Sequence, residues 1–184
     1  SVINAIILSG AIPIFINPKF NYDFGISANI DYKDVEDVIE KEKDIKAIFI
    51  LNPTYYGMCS DLEKITNLCH KNNILVLVDE AHGAHFPFNK NLPKSSMMCG
   101  ADMSAINVVL QCINMIQSTS SSYILMSSID GARYNMEING EKQLSNALSL
   151  SRYAKDKLKK IKGVKILEKE NQDGLYEFDE TKIC

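Results

Sequence analysis

Hydrophobic residues in this chain fall into short continuous runs that alternate with stretches where they recur every three or four positions. Ile45–Leu51 and Ile74–Val78 are largely apolar and rich in β-branched residues, the pattern of strands buried in a parallel sheet. Ile12–Ile16 reads as a further short strand. Between these runs, Val35, Val38 and Ile39 follow the capping candidates Asp31 and Asp34, and Leu62, Ile65 and Leu68 follow Ser60 and Asp61, both at helical spacing. Asn17–Asn29, with its Asn, Pro, Gly and aromatic residues, reads as a loop, and Ser1–Ser9 as the buried end of a helix that Gly10 caps. Strand, helix, strand, helix, strand at this pitch predicts an α/β fold: a mainly parallel sheet with flanking helices on both faces.

The second half is less regular. Phe86–Pro93 reads as a polar and aromatic loop, and Lys94–Cys99 as a short helical turn. Met103–Ile116 is mostly apolar, and strand and helix readings both remain open there. The Ser/Thr run Ser118–Ser122 suits the start of a helix, and two long helices are expected over Tyr123–Met136 and Glu141–Ile161. The second closes in Lys155, Lys157, Lys159, Lys160 and Lys162, a solvated row suited to a helix C-terminus ahead of Gly163. Val164–Leu167 reads as a last strand and Leu175–Phe178 as an edge strand. The organisation expected is a partial large domain over 1–162 and the start of a smaller C-terminal domain over 163–184.

Composition narrows the function classes. At 184 residues and 46% hydrophobic, the chain suffices for one sizeable core or part of a larger one. A net charge of -3 and a pI near 5.6 leave no basic footprint for nucleic acid. Five scattered cysteines without a Cys-x-x-Cys pair suggest neither a disulfide framework nor a zinc ribbon, and point to a reducing cytoplasm. No apolar run approaches the roughly 20 residues of a membrane span, and the N-terminal stretch lacks the basic start of a signal peptide.

Chemistry concentrates where the run Leu75–Val78 ends in Asp79-Glu80-Ala81-His82-Gly83-Ala84-His85. Open α/β sheets bind ligands at the carboxyl ends of their strands, so Asp79 is the first residue to explain. Asp-Glu-Ala-His at a strand end occurs in nucleotide-driven helicases, where the carboxylates manage Mg²⁺, and in pyridoxal-phosphate (PLP) enzymes, where the Asp holds the cofactor's ring nitrogen. A P-loop needs Gly-x-x-x-x-Gly-Lys-Ser/Thr before the acidic strand. Residues 1–74 hold only Gly10, Gly25 and Gly57, none followed by Lys, which disfavours the helicase reading. His82 and His85 are two potential ligands without a third, so packing or cofactor contact is expected of them rather than zinc, and His70 is expected to be a solvated helix residue.

Several further stretches agree with the PLP reading: Ser1–Ala5 with Ser9-Gly10-Ala11, Asn52-Pro53-Thr54-Tyr55-Tyr56-Gly57, Leu92-Pro93, Gly100-Ala101-Asp102, and Gln117–Ser120 running into Tyr123–Met126. Together with Asp79–His85 they resemble the major domain of the bacterial ornithine/lysine/arginine decarboxylases, PLP enzymes of fold type I. The resemblance covers nearly the whole chain. It implies a cytoplasmic enzyme of amino-acid and polyamine metabolism built on dimers. Asp79 would keep the pyridine nitrogen protonated, Ala81 would lie under the flat ring and His82 at its edge. Thr54 would reach the ring's phenolic oxygen or the substrate aldimine, although it also suits the turn that ends its strand. Ser118, Thr119 and Ser120 would touch the phosphate from the neighbouring subunit, although such a run also suits a plain helix cap.

The resemblance also has gaps. In the family a lysine that holds the cofactor as a Schiff base follows Gly-Ala-Asp within a Ser-x-His-Lys segment. Here no lysine occurs between Lys94 and Lys142, about two dozen residues of the family pattern are missing, and Lys94 precedes the Gly-Ala-Asp strand. The chain also starts after the family's phosphate loop and ends early, and Ser121 stands where the family usually has proline. The expectation is a fragment or degenerate form of a basic amino-acid decarboxylase, inactive alone, or else a remnant that binds a full-length homologue.

Overall fold

The computed structural model describes residues 2–105, 123–169 and 176–184. Its centre is a three-stranded parallel sheet of β3 (Ala47–Leu51), β5 (Leu75–Asp79) and β6 (Met103–Ala105), with β5 in the middle. Helices α2 (Tyr32–Lys41) and α3 (Leu62–Lys71) start where Asp31 and Asp61 cap them, accepting from the backbone N–H groups of Lys33 and Lys64. Their apolar stripes meet alternate residues of the strands. Val35, Leu62, Ile65 and Cys69 pack on Ile50, Val76 and Val78 to form the main cluster. The βαβ reading and the parallel sheet are thus as the sequence predicts.

Covering of the second face is not found among the described residues. Among the described residues helices cover only the Ile50/Val76/Val78 side, while Phe49, Leu51, Leu75 and Met103 on the other side are 44%, 45%, 54% and 60% exposed. Ile12–Ile16 forms no strand, because no neighbouring strand among the described residues pairs with it; Ile12 is exposed and only Ile16 reaches the main cluster. The loop expected over Asn17–Asn29 instead contains a hairpin of β1 (Phe20–Asn21) and β2 (Ile26–Ser27). Asn21 Oδ1 accepts from Phe24 N, and Gly25 takes a φ of +65°. Helix α1 (Val2–Ser9) ends at Gly10 as expected, in a left-handed conformation with φ +69°, but it is not buried: Ile3, Ile7 and Leu8 are exposed.

The two helices expected beyond Tyr123 are one, α4 (Tyr123–Leu158). Gly140 does not break it, because this glycine lets α4 press against the loop that follows β5: a Cβ there would come within 2.9 Å of the Phe88 Cβ. Asn89 strengthens the same junction, donating from its amide to Glu141 O and Ser145 Oγ. The lysine row is not wholly solvated either. Lys155 is buried, donates to Glu180 O at 3.1 Å and lies 5.2 Å from the centre of the Phe178 ring.

Val164–Leu167 forms no strand among the described residues; Ile166 and Leu167 are buried, and Leu167 N donates to Cys184 O. The expected edge strand does form, as β7 (Glu177–Phe178). Its antiparallel partner is a strand the pattern did not reveal, β4 (Met58–Cys59). Met58, Leu167, Phe178 and Ala28 make a second small cluster there.

Candidate cofactor site at the end of the central strand

β5 alternates sides with a period of two, which places Leu75, Leu77 and Asp79 on the open face and Val76, Val78 and Glu80 on the helix-covered side. Asp79 closes the strand, in register with Leu51 of β3 and Ala105 of β6. Its side chain is half-buried and its Oδ1 accepts from Ala81 N at 3.0 Å, a local turn that sets the direction of the following loop. The other carboxylate oxygen accepts no hydrogen bond among the described residues.

Ala81 and His82 stand on that loop, both half-buried. The His82 ring meets Tyr55 edge-on, with centroids 5.4 Å apart, so the loop after β5 touches the turn after β3. On that turn Thr54 Oγ1 accepts from Met58 N at 3.1 Å, and Thr54 N donates to Met58 O at 2.9 Å; its hydroxyl thus serves the turn. Asp79, Ala81, His82 and Thr54 are therefore gathered at two adjoining strand ends. Ser118, Thr119 and Ser120 lie outside the described residues, as does most of Met103–Ile116.

Glu80 escaped the sequence reading although the alternation of β5 points it to the covered side. It is buried, and its carboxylate accepts from Ser96 N at 2.7 Å and faces the hydroxyls of Ser96 at 2.8 Å and Ser104 at 3.2 Å. Burial raises its carboxyl above the ordinary range, and these donors offset only part of that. The network joins the loop after β5 to β6. A second missed pair is His85 with Asp179, whose Nε2 and Oδ2 lie 3.1 Å apart. His70 is exposed as expected but is paired, 2.9 Å from Asp102 Oδ2. Lys94 is bound to Glu63 at 2.7 Å. His82 and His85 gather no third ligand for a metal among the described residues. A cavity of about 380 Å³ lined by Asp23, Phe24, Lys159, Lys165, Ile166 and Glu168 shares no residue with these strand ends.

The chemistry of this donor set suits a flat cationic heteroaromatic ring. Asp79 offers an uncommitted carboxylate oxygen at a half-buried strand end, Ala81 adds little bulk beside it, and His82 brings a planar edge. Fold and site together define part of an α/β domain whose parallel sheet gathers its polar residues at the carboxyl ends of its strands. The chain matches the family model "Orn/Lys/Arg decarboxylase, major domain" over residues 1–112 and belongs to that family.

Curated relatives agree. Arginine decarboxylases of Halalkalibacterium halodurans and Bacillus cereus are 35% and 36% identical over 209 positions that take in 100% of this chain. The chain spans 43% and 45% of those two relatives, less than half their length. The 209 aligned positions exceed the chain's 184 residues by 25, positions filled in each relative and not in this chain. The uncharacterized protein YaaO of Bacillus subtilis is 33% identical over 80% of this chain and 36% of its own length. Among solved structures, mouse CSAD superposes with a TM-score of 0.56 over 83% of this chain and 40% of that one, at 14% identity, which establishes likeness of fold. No described helix is long and apolar enough to cross a membrane.

Proposed function

We propose that this chain is a non-catalytic form of a PLP-dependent arginine, lysine or ornithine decarboxylase, keeping the polar anchor for the cofactor and lacking the covalent one. The observation that carries this reading is Asp79, which ends the central strand with one carboxylate oxygen uncommitted. Pyridoxal phosphate, when bound, supplies an electron sink for the pair left at the α-carbon as CO₂ departs. Asp79 would hold a proton at the ring nitrogen, Ala81 would leave room for the ring, His82 would border it and Thr54 would meet its oxygen edge. Ser118, Thr119 and Ser120 would bind the phosphate, in a dimer, across the subunit boundary.

The lysine is the missing part. None occurs between Lys94 and Lys142, where the resemblance expects the family's lysine segment. The test is to supply PLP with arginine, lysine or ornithine and measure amine and CO₂. No release above the rate with free PLP is expected, and clear turnover by these 184 residues overturns the proposal.

A second reading, a remnant that binds a full-length homologue, is favoured by the open sheet face, where Phe49, Leu51, Leu75 and Met103 are exposed. Co-purification with an intact decarboxylase supports it, and a chain that stays monomeric beside one contradicts it.

A further inference from the structure

We infer that Asp179 is a positioning residue of the cofactor site, holding the His85 ring and through it the loop that carries Ala81 and His82. The inference rests on the assignment of Asp79 as the cofactor anchor.

Asp179 follows β7 and is fully buried. Its backbone N–H donates to Gly57 O at 2.8 Å, which ties the segment to the turn that carries Thr54 and Tyr55. Gly57 permits the approach: its φ is +88°, and a Cβ there would come within 3.1 Å of the Asp179 Cβ. Thr181 donates to Asp179 Oδ1 from both its N–H, at 3.1 Å, and its hydroxyl, at 2.6 Å. These bonds occupy one carboxylate oxygen. The other faces His85 Nε2 at 3.1 Å, a contact between residues far apart in the chain, and neither of these two buried atoms makes a hydrogen bond among the described residues.

A buried carboxylate is costly, and a position that only filled space would be served as well by a neutral side chain. Burial by itself would raise the Asp179 carboxyl; the His85 ring and the Thr181 donors outweigh it and hold the group below its ordinary value. The neighbouring contact runs the same way. Lys182 places its ammonium 5.7 Å from the centre of the Tyr55 ring, and the Tyr55 ring meets His82 edge-on. Both histidines of the Asp79–His85 motif are thus tied, directly or through Tyr55, to the segment from Asp179 to Lys182.

The test compares the whole chain with Asp179→Asn by two readouts: the ring resonances of His70, His82 and His85, and the affinity for PLP by absorbance titration. Expected are displaced His85 resonances with His70 unmoved, and PLP affinity weakened on the order of ten-fold. Unmoved His85 resonances overturn the inference, as do displaced resonances with wild-type PLP affinity. If the unsubstituted chain shows no saturable PLP binding, the cofactor assignment itself fails and the inference falls with it, a result seen without any variant. Should Asp179→Asn not fold, Thr181→Val removes one donor to the same carboxylate. Weaker PLP binding is expected there too, and wild-type affinity overturns the inference.

Discussion

The two sides of the central sheet are made from alternate residues of the same strands and have opposite characters. On one side Ile50, Val76 and Val78 are buried under α2 and α3. On the other, Phe49, Leu75 and Leu77 lead up to Asp79 with no helix over them among the described residues. The contrast continues in α4, whose C-terminal half buries Leu148, Ser151 and Lys155 while Tyr123, Ile124 and Tyr134 near its start are exposed. One side of the sheet carries the core, and the other carries the residues proposed to hold the cofactor. A ligand-binding end of a sheet must stay accessible, and the packing that fixes Asp79 in space comes from the face it does not occupy.

A charge placed on each side of the sheet in turn separates the two faces most strongly. Val76→Asp buries a carboxylate in the main cluster at a cost of several kcal/mol, comparable with the roughly 5–15 kcal/mol stability of a whole domain, and should abolish the cooperative urea transition. Leu75→Asp, one residue earlier and half exposed, should cost less than about 1 kcal/mol. Equal loss in both would mean that the open face is covered in solution.

Glycines of α4 sharpen the same contrast at lower energy. Gly140→Ala drives a methyl group against Phe88 and should destabilise the chain by about 1–3 kcal/mol in thermal or urea unfolding. Gly131→Ala, with nothing within 4 Å, should stabilise it by about 0.5–1 kcal/mol through helix propensity alone. The pH response of Asp179 probes the junction beyond β7. Its carboxyl is held below the unfolded value of about 3.9, so its stabilising effect is complete above about pH 4 and is lost as pH falls through the lower folded value. Amide exchange at Glu177 and Asp179 should therefore accelerate below pH 4 while Val76 and Val78 stay protected.

Much of the covered side was legible in the sequence, because capping aspartates and a repeat of three and four are local signals: Asp31 with Val35, and Asp61 with Leu62 and Ile65. The errors came where tertiary context decides. The helices expected over Tyr123–Met136 and Glu141–Ile161 are one, with Gly140 packed against Phe88, and the two-residue strand β4 exists only through its pairing with β7. Asp79 stood out because it ends an apolar run inside a dense motif. Glu80 and Asp179 did not, since their partners Ser96, Ser104 and His85 are brought together by the fold rather than by adjacency.

The central claim, that Asp79 anchors PLP on this chain without a covalent bond, is tested most directly by titrating the chain and its Asp79→Ala variant with PLP and following absorbance. The account predicts saturable binding that gel filtration removes, weakened at least about ten-fold by the substitution. Equal affinity in the two proteins, or cofactor retained covalently by the unsubstituted chain, would contradict it.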